Sequence, residues 1–503
     1  MPIVLETPTL ARLPDAWRSG PTRGRLEKEL AYRNLSVAHQ RKTWAAVAQA
    51  DDKSPGRHWF VRKYGRPALD AKVAELQAQE HRTALFDTPQ GLYTYSGLAP
   101  RLAAEYGETV ERGFPLPERE YVSRQGKPLV PRPYQTKAVE LLLEKGHAAV
   151  ELATGLGKSH IICELLFNLG LPAVVVAPTL SIARQLLLET RRLFGKKTVG
   201  QFFAGKKEAS CRFVIAVSKS LLSVAPGTAL AALLQSRQVL ICDESHLLPA
   251  ETLSKLVLKM FKKAPYRFFL SGTQMRNDGQ DLVLEGLTGE VVIRMNVQEG
   301  IDQGYLNDVR FTQFQIGSSL PMEIPDPIKM NRVHLHRNEQ VYIHAAALVQ
   351  NALEKGYRPL VLIEETAQAA FIHKHFKVPW GLAHGGVDAK MKKVIPKEHH
   401  KSDPHKLVDA FDAGTLPVLV GTQCIGVGTD IKTADFIVDI VGLASEVRVR
   451  QNVGRGTRKV PGKRPTQYCD YQIYNIGSLN RHAEKRRKVF QDIVRTPVRV
   501  VTT

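Results

Sequence analysis

Cysteine is scarce in this chain and never clustered. The five, Cys163, Cys211, Cys242, Cys424 and Cys469, are scattered with no Cys-x-x-Cys among them. That argues against a structural zinc site and a disulfide framework, and it fits a reducing compartment. Long apolar runs are missing too: none approaches the ~18 residues a membrane span requires. The N-terminus has no charged-then-apolar export signal, so a cytoplasmic location is expected (host cytoplasm for a phage-encoded chain). Acidic residues are in short supply, 49 Asp and Glu against 70 Lys and Arg, for a net charge of +21. Such self-repulsion calls for a polyanionic partner. Nucleic acid leads, ahead of a bland basic surface or an anionic membrane.

What is present is a soluble globular composition, 43% hydrophobic and 24% charged, over 503 residues. That is too long for one core, and about three domains are expected. The first 115 residues differ in character from the rest. Leu26 to Ala50 reads as a helix with a basic face carrying Lys28, Arg33, Arg41 and Lys42. Trp59-Phe60-Val61-Arg62-Lys63-Tyr64 interleaves aromatics with cations, suited to stacking and phosphate contact or to a half-buried strand. Thr83 to Tyr95 reads as a hairpin turning at Asp87–Gly91, followed by a helix from Ala99 to Tyr106. Residues 1–115 are therefore read as a small α+β accessory domain that touches DNA, and the proline-bearing stretch 116–131 as a linker.

From there short apolar strands alternate with amphipathic helices. The strands are expected at Ala148–Leu152, Ala173–Ala177, Phe213–Val217, Val239–Cys242 and Arg267–Leu270. A second series follows at Pro359–Ile363, Gly381–Ala383, Pro417–Val420, Phe436–Val441 and Gln467–Tyr474. Apolar runs without alternation suit parallel strands covered on both faces. The expected fold is α/β, with two doubly wound domains in tandem at 132–308 and 309–503. Pro321 to Asn338, polar and proline-bearing, reads as part of the hinge. The His-rich stretch Pro396–His405 reads as a solvated loop rather than a metal site, because nothing orients its ligands. Arg481–Lys488 is a basic helical run suited to phosphate contacts.

Two segments carry chemistry on their own residues. Thr154-Gly155-Leu156-Gly157-Lys158-Ser159 lies between a strand and a helix and has the Gly-x-Gly-Lys-Ser core of a phosphate-binding loop. Its glycines let successive N–H groups converge on one anion at a helix N-terminus. Lys158 would reach the β- and γ-phosphates of ATP, and the Ser159 hydroxyl would hold Mg²⁺. Asp243 and Glu244 end the apolar run Val239–Cys242, where carboxylates project into the ligand crevice. Asp243 is suited to holding Mg²⁺ and Glu244 to orienting and deprotonating a water.

In that order, Gly-Lys-Ser and Asp-Glu-Ser-His resemble the superfamily 2 helicases and translocases, and the likeness runs from about Arg132 to Arg458. It implies two tandem RecA-like P-loop domains. By this resemblance Arg132 and Gln135 read adenine. Pro178, Thr179, Ser218, Lys219, Thr422 and Gln423 contact nucleic acid, and His246, Ser271, Gly272 and Thr273 couple hydrolysis to strand movement. Gly428 and Asp430 of the fifth motif bind nucleotide. Gln451, Arg455 and Arg458 belong to the sixth, Gln-x-x-Gly-Arg-x-x-Arg, with both arginines acting as fingers on the triphosphate. An apolar residue at Leu152, Asp-Glu-Ser-His itself and Val297–Leu306 resemble the XPB, RecG-like and UvsW group. Met275–Gly279 resembles that group's Arg-Glu-Asp element with Asn277 in place of Glu. The resemblance implies an ATP-dependent DNA helicase moving 3′ to 5′ on branched DNA, in recombination, repair or branch migration, of bacteriophage type. Open beside it are a double-strand translocase that separates nothing and an ATP-switched nucleic-acid-binding module.

Overall fold

A computed structural model describes residues 2–49, 65–126, 130–248, 250–272, 281–320, 322–387, 389, 391–422, 425, 431–442 and 445–502. The chain divides into two compact units. One is Met1–Val150 with His160–Pro178 and Thr190–Ile293; the other is Glu151–Ser159 with Thr179–Glu189 and Arg294–Thr503.

The first unit opens with a five-stranded mixed sheet, in the order Leu85–Thr88, Gly91–Tyr95, Leu10–Arg12, Ile3–Leu5, Val110–Arg112. The expected hairpin is there, with Thr88 paired to Gly91, and so is the helix Ala99–Tyr106. The single helix expected over Leu26–Ala50 is instead two, Gly20–Glu29 and Leu35–Gln49, broken by the strand Ala31–Arg33. That strand pairs with His81–Thr83, a long-range partner that helical periodicity cannot foresee. The basic face is also partly turned inward: Arg33 and Arg41 both grip the buried Glu80 carboxylate. Trp59–Tyr64 lies outside the described residues.

This sheet is docked closely on the next. A Cβ on Gly97 would sit 2.4 Å from the Glu285 carbonyl oxygen, and one on Gly286 would sit 2.7 Å from the Tyr95 ring. Arg101 pairs with Glu285 at 2.6 Å. Between the layers, the buried Arg267 guanidinium donates to Ser96 Oγ and to His147 Nδ1. The proline-bearing stretch is held at Glu120, Arg124 and Gln125. Glu120 N–H donates to Leu169 O and Gln125 N–H to Leu193 O, and Arg124 pairs with Glu164 at 2.7 Å.

Two seven-stranded sheets follow. The first orders Val199–Phe202, Phe213–Val217, Ala173–Ala177, Val239–Cys242, Tyr266–Ser271, His147–Leu152 and Val291–Met295. The second orders Trp380–Ala383, Val418–Gly421, Pro359–Leu362, Phe436–Asp439, Thr466–Ile473, Val309–Ile316 and Arg499–Thr502, all in parallel. The five expected strands of each series lie where apolar runs without alternation place them. The edge strands Val199–Phe202, Val291–Met295 and Arg499–Thr502, and the inner strand Val309–Ile316, went unread because polar residues interrupt them.

Pro321–Asn338 is not a hinge. Its described part forms the helix Pro327–Asn331 and a π-helical turn Arg332–His336, and Met330 and Leu335 enter the core around the second seven-stranded sheet. The basic run lies on the helix Gly477–Ile493. Arg486 points inward there, paired with the buried Asp470 at 3.0 Å, so it serves the fold. Among the described residues no helix is long and apolar enough to cross a membrane, and no His, Cys, Asp and Glu cluster could hold a metal ion.

Candidate ATP site and motor motifs

The phosphate-loop candidate follows the strand His147–Leu152 and opens the helix Lys158–Leu169. Gly155 and Gly157 have φ of +94° and +77°, a backbone conformation that side chains resist. Lys158 is 8% exposed, and its ammonium donates to Leu152 O at 3.0 Å, which folds the loop around its own lysine. Ser159 sits beside it on the first helical turn.

The end of the sixth motif packs on this loop within the same compact unit. A Cβ on Gly454 would lie 2.5 Å from Thr154 Cβ, and one on Gly155 would meet Leu306, Arg458 and Thr457. Thr457 Oγ1 lies 3.5 Å from Thr154 O and donates to Gly454 O at 3.0 Å. Gln451 and Arg455 occupy the last turn of the helix Glu446–Gly454 and the residue after it. That helix is anchored by Asn452, which donates to Asp439 Oδ2 at 3.0 Å, while the Tyr468 hydroxyl binds the same carboxylate. Arg458 forms a β-bridge with Leu306, and Thr457 O accepts from Asn307 N–H.

In the first unit the carboxylate pair ends the buried strand Val239–Cys242 as expected. Asp243 is 5% exposed, and its N–H donates to Val176 O. Glu244 adopts φ +44°, ψ +49°, a left-handed conformation costing a non-glycine residue roughly 1–3 kcal/mol. Its N–H donates to Asp243 Oδ1 at 3.0 Å, and its Oε2 accepts from Gly272 N–H at 3.3 Å. His246 Nδ1 lies 3.5 Å from that same oxygen and shares a hydrogen bond with Ser271 Oγ. Glu244, His246, Ser271 and Gly272 thus form one cluster, built from the ends of two adjacent parallel strands.

Gln135 is buried, and its Oε1 accepts from Arg132 N–H, while Arg132 donates to the Tyr134 hydroxyl at 3.1 Å. Gln135 borders a 480 Å³ groove shared with Val139, Leu143, Glu164 and Asn168. Thr179 Oγ1 accepts from Ile182 N–H at 3.4 Å at the start of the helix Leu180–Phe194, next to Pro178. Ser218 is buried at the start of a short helix, with Lys219 exposed after it. Thr422 N–H donates to Ala383 O. Thr273, Gln423, Gly428 and Asp430, and the Met275–Gly279 segment, lie outside the described residues.

Sequence reasoning missed the residues that hold the arginine segment in place: Asp439, Asn307, Thr466 and Lys463. Their partners are backbone groups and residues distant in sequence. Only the Pro461-Gly462 turn signal before Lys463 was there to be read.

Residues 128–276 match the family model described as type III restriction enzyme, res subunit. A putative helicase of a Sulfolobus islandicus filamentous virus is 22% identical over 283 residues, covering 52% of this chain and 46% of the relative. The DNA 3′-5′ translocase XPB2 of Sulfurisphaera tokodaii is 20% identical over 290 residues, covering 50% of this chain and 61% of the relative. The chain thus spans only 46% and 61% of the length of these curated relatives. The solved fragment of a putative HsdR subunit of a type I restriction enzyme from Vibrio vulnificus has a TM-score of 0.53 at 17% identity. It covers 85% of this chain and 76% of that one. The chain resembles the superfamily 2 helicases, and its fold is two tandem RecA-like domains with an N-terminal α+β module.

Proposed function

We propose that the protein is an ATP-dependent DNA helicase or translocase of superfamily 2 that works 3′ to 5′ on branched DNA such as forks and four-way junctions. The observation that carries the motor reading is the packing of Gly454 and Thr457 against Thr154, which groups Arg455 and Arg458 with Lys158 and Ser159 in one compact unit. Arginine keeps its charge and offers a planar fork to phosphate oxygens.

The donor set fits ATP with Mg²⁺: converging backbone N–H groups, a lysine, a hydroxyl and a buried carboxylate. Bound Mg²⁺ supplies charge withdrawal from the phosphates. Lys158 and the loop amides hold the β- and γ-phosphates, while Ser159 and Asp243 would hold the ion. Glu244 orients and deprotonates the attacking water, and Arg455 and Arg458 neutralise charge developing on the γ-phosphoryl group. Gln135 and Arg132 serve the base, and Gly428 and Asp430 the sugar end of the nucleotide. Glu244 passes the hydrolytic state to Ser271, Gly272 and Thr273 through His246. Pro178, Thr179, Ser218, Lys219, Thr422 and Gln423 hold one strand by its backbone, which suits sequence-independent travel. Branched DNA and direction rest on the resemblance to the XPB, RecG-like and UvsW group.

The restriction-subunit family match favours a second reading, translocation along duplex DNA without strand separation. ATPase stimulation by single-stranded, duplex, forked and four-way DNA, with an RNA control, tests the first. Strongest stimulation by forked and four-way DNA is expected, and none by any DNA would refute it. Triplex displacement without fork unwinding would select the second.

A further inference from the structure

Directly after the sixth motif the chain makes a tight turn. Lys463 N–H donates to Val460 O at 3.1 Å across Pro461-Gly462, and Gly462 has φ +77°. Proline followed by a left-handed glycine is the signature of a type II turn. The turn brings Lys463 back over the segment it has just left. Its ammonium donates to Gly456 O at 2.8 Å, to Arg458 O at 2.9 Å and to Lys432 O at 3.2 Å. Lys432 is two residues past Asp430, the end of the fifth motif. Asp412 grips the same stretch, accepting from Lys432 N–H and from the Thr433 N–H and hydroxyl.

We infer that Lys463 is a positioning residue: one ammonium ties the residue Lys432, just past the fifth motif, to the arginine segment Arg455–Arg458 and so holds the arginines at the angle that hydrolysis requires. This rests on the reading of Arg455 and Arg458 as groups that contact ATP. An ammonium has three donors and here has three carbonyls to satisfy. A neutral amine has two, so deprotonation must release one carbonyl and loosen the joint. Burial pulls the Lys463 pKa down to about 8, while Asp435 and Asp412 favour the proton and Arg458 opposes it. Arg464 also faces Asp435. The tie is therefore poised to loosen in the mildly alkaline range.

The test combines kinetics with amide hydrogen exchange on Lys463→Met and Lys463→Arg. In DNA-stimulated ATP hydrolysis the methionine variant is expected to lose about tenfold in kcat, with KM for ATP within about threefold. The wild type should lose activity as pH rises through about 8. That alkaline limb should be absent from both variants, with the arginine variant, which keeps its charge, recovering part of kcat. Unchanged kcat and an unchanged alkaline limb in Lys463→Met would overturn the inference while leaving the motor reading intact. Hydrogen exchange needs no turnover. Residues 454–458 and 432–433 should lose protection in the methionine variant, and in the wild type above pH 8 after correction for intrinsic rates. Unchanged protection would overturn the inference even for a protein that never hydrolysed ATP. Absent hydrolysis with the protection loss intact would fault the functional reading instead. A methionine variant that fails to fold leaves the wild-type pH series and Lys463→Arg to decide.

Discussion

Gly454 leaves no room for a side chain against Thr154: a Cβ there would fall 2.5 Å from the threonine Cβ. Both are backbone-rich positions, one in the phosphate loop and one ending the helix that carries Gln451, so neither can yield without moving functional groups. Gly454→Ala should therefore lower ATP turnover by about 10–100-fold, the scale of a 1 Å misplacement at a reacting centre. Steady-state hydrolysis alongside thermal melting checks it. Wild-type turnover in the alanine variant would contradict the packing.

Glu244 stores backbone strain at the place where a water-activating carboxylate is proposed. Glu244→Gly should abolish turnover while leaving stability equal to wild type or up to about 1 kcal/mol higher, since glycine accepts φ +44° but loses more entropy on folding. Glu244→Gln should abolish turnover alone. Urea unfolding of both variants decides, and a clear loss of stability in the glycine variant would show that the hydrogen bond from Gly272 and the contact with His246 outweigh the strain.

The helix Gly477–Ile493 separates two uses of positive charge. Arg486 is 4% exposed and donates to Asp470, to Gly442 O and to Tyr471 O. Arg486→Ala leaves a buried carboxylate without its cation and should cost about 3–5 kcal/mol in urea unfolding of the C-terminal domain. Arg481, Lys485 and Lys488 are exposed. Replacing all three with alanine should leave unfolding unchanged but flatten the salt dependence of duplex DNA binding, by roughly 0.9 in log–log slope for each phosphate no longer neutralised. Unchanged slopes would remove this face from the DNA path.

His147 links stability to acid. Burial, then the Arg267 charge, hold its pKa well below the usual value, while the Leu287 carbonyl opposes the shift. The folded protein thus refuses a proton that the unfolded chain accepts below pH about 6.5. Stability from this group is complete above that pH and is lost as pH falls, by at most about 1.4 kcal/mol per unit. Unfolding free energies at pH 7.5 and 5.5 should differ by about 1 kcal/mol more in the wild type than in His147→Asn. Equal differences would mean that His147 is protonated in place.

The N-terminal module is held to the first seven-stranded domain by Gly97 against Glu285 and Gly286 against Tyr95, so removing residues 1–115 would uncover apolar surface as well as any DNA-binding face. Its role is better probed by Lys28→Glu and Lys42→Glu than by deletion. Weaker binding to four-way DNA with unchanged melting is the expected result, and wild-type binding would argue against DNA contact on this face.

Local chemistry on this chain was readable from its residues alone. The buried strands announced themselves as unbroken apolar runs, and Gly155 and Gly157 marked a turn because few other residues accept those angles. Lys158, Asp243 and Glu244 stood out because their chemistry is tied to neighbours one to four positions away. Tertiary structure alone decided the rest: which cations face solvent, that Arg33, Arg41 and Arg486 are taken up by Glu80 and Asp470, and that Pro327–His336 belongs to a core. It also decided that Lys463 closes over Arg458. The reason is physical: a charge or carbonyl is satisfied by whatever the fold brings within about 3 Å, and that partner is set by packing across tens or hundreds of residues rather than by the order in which the residues are written.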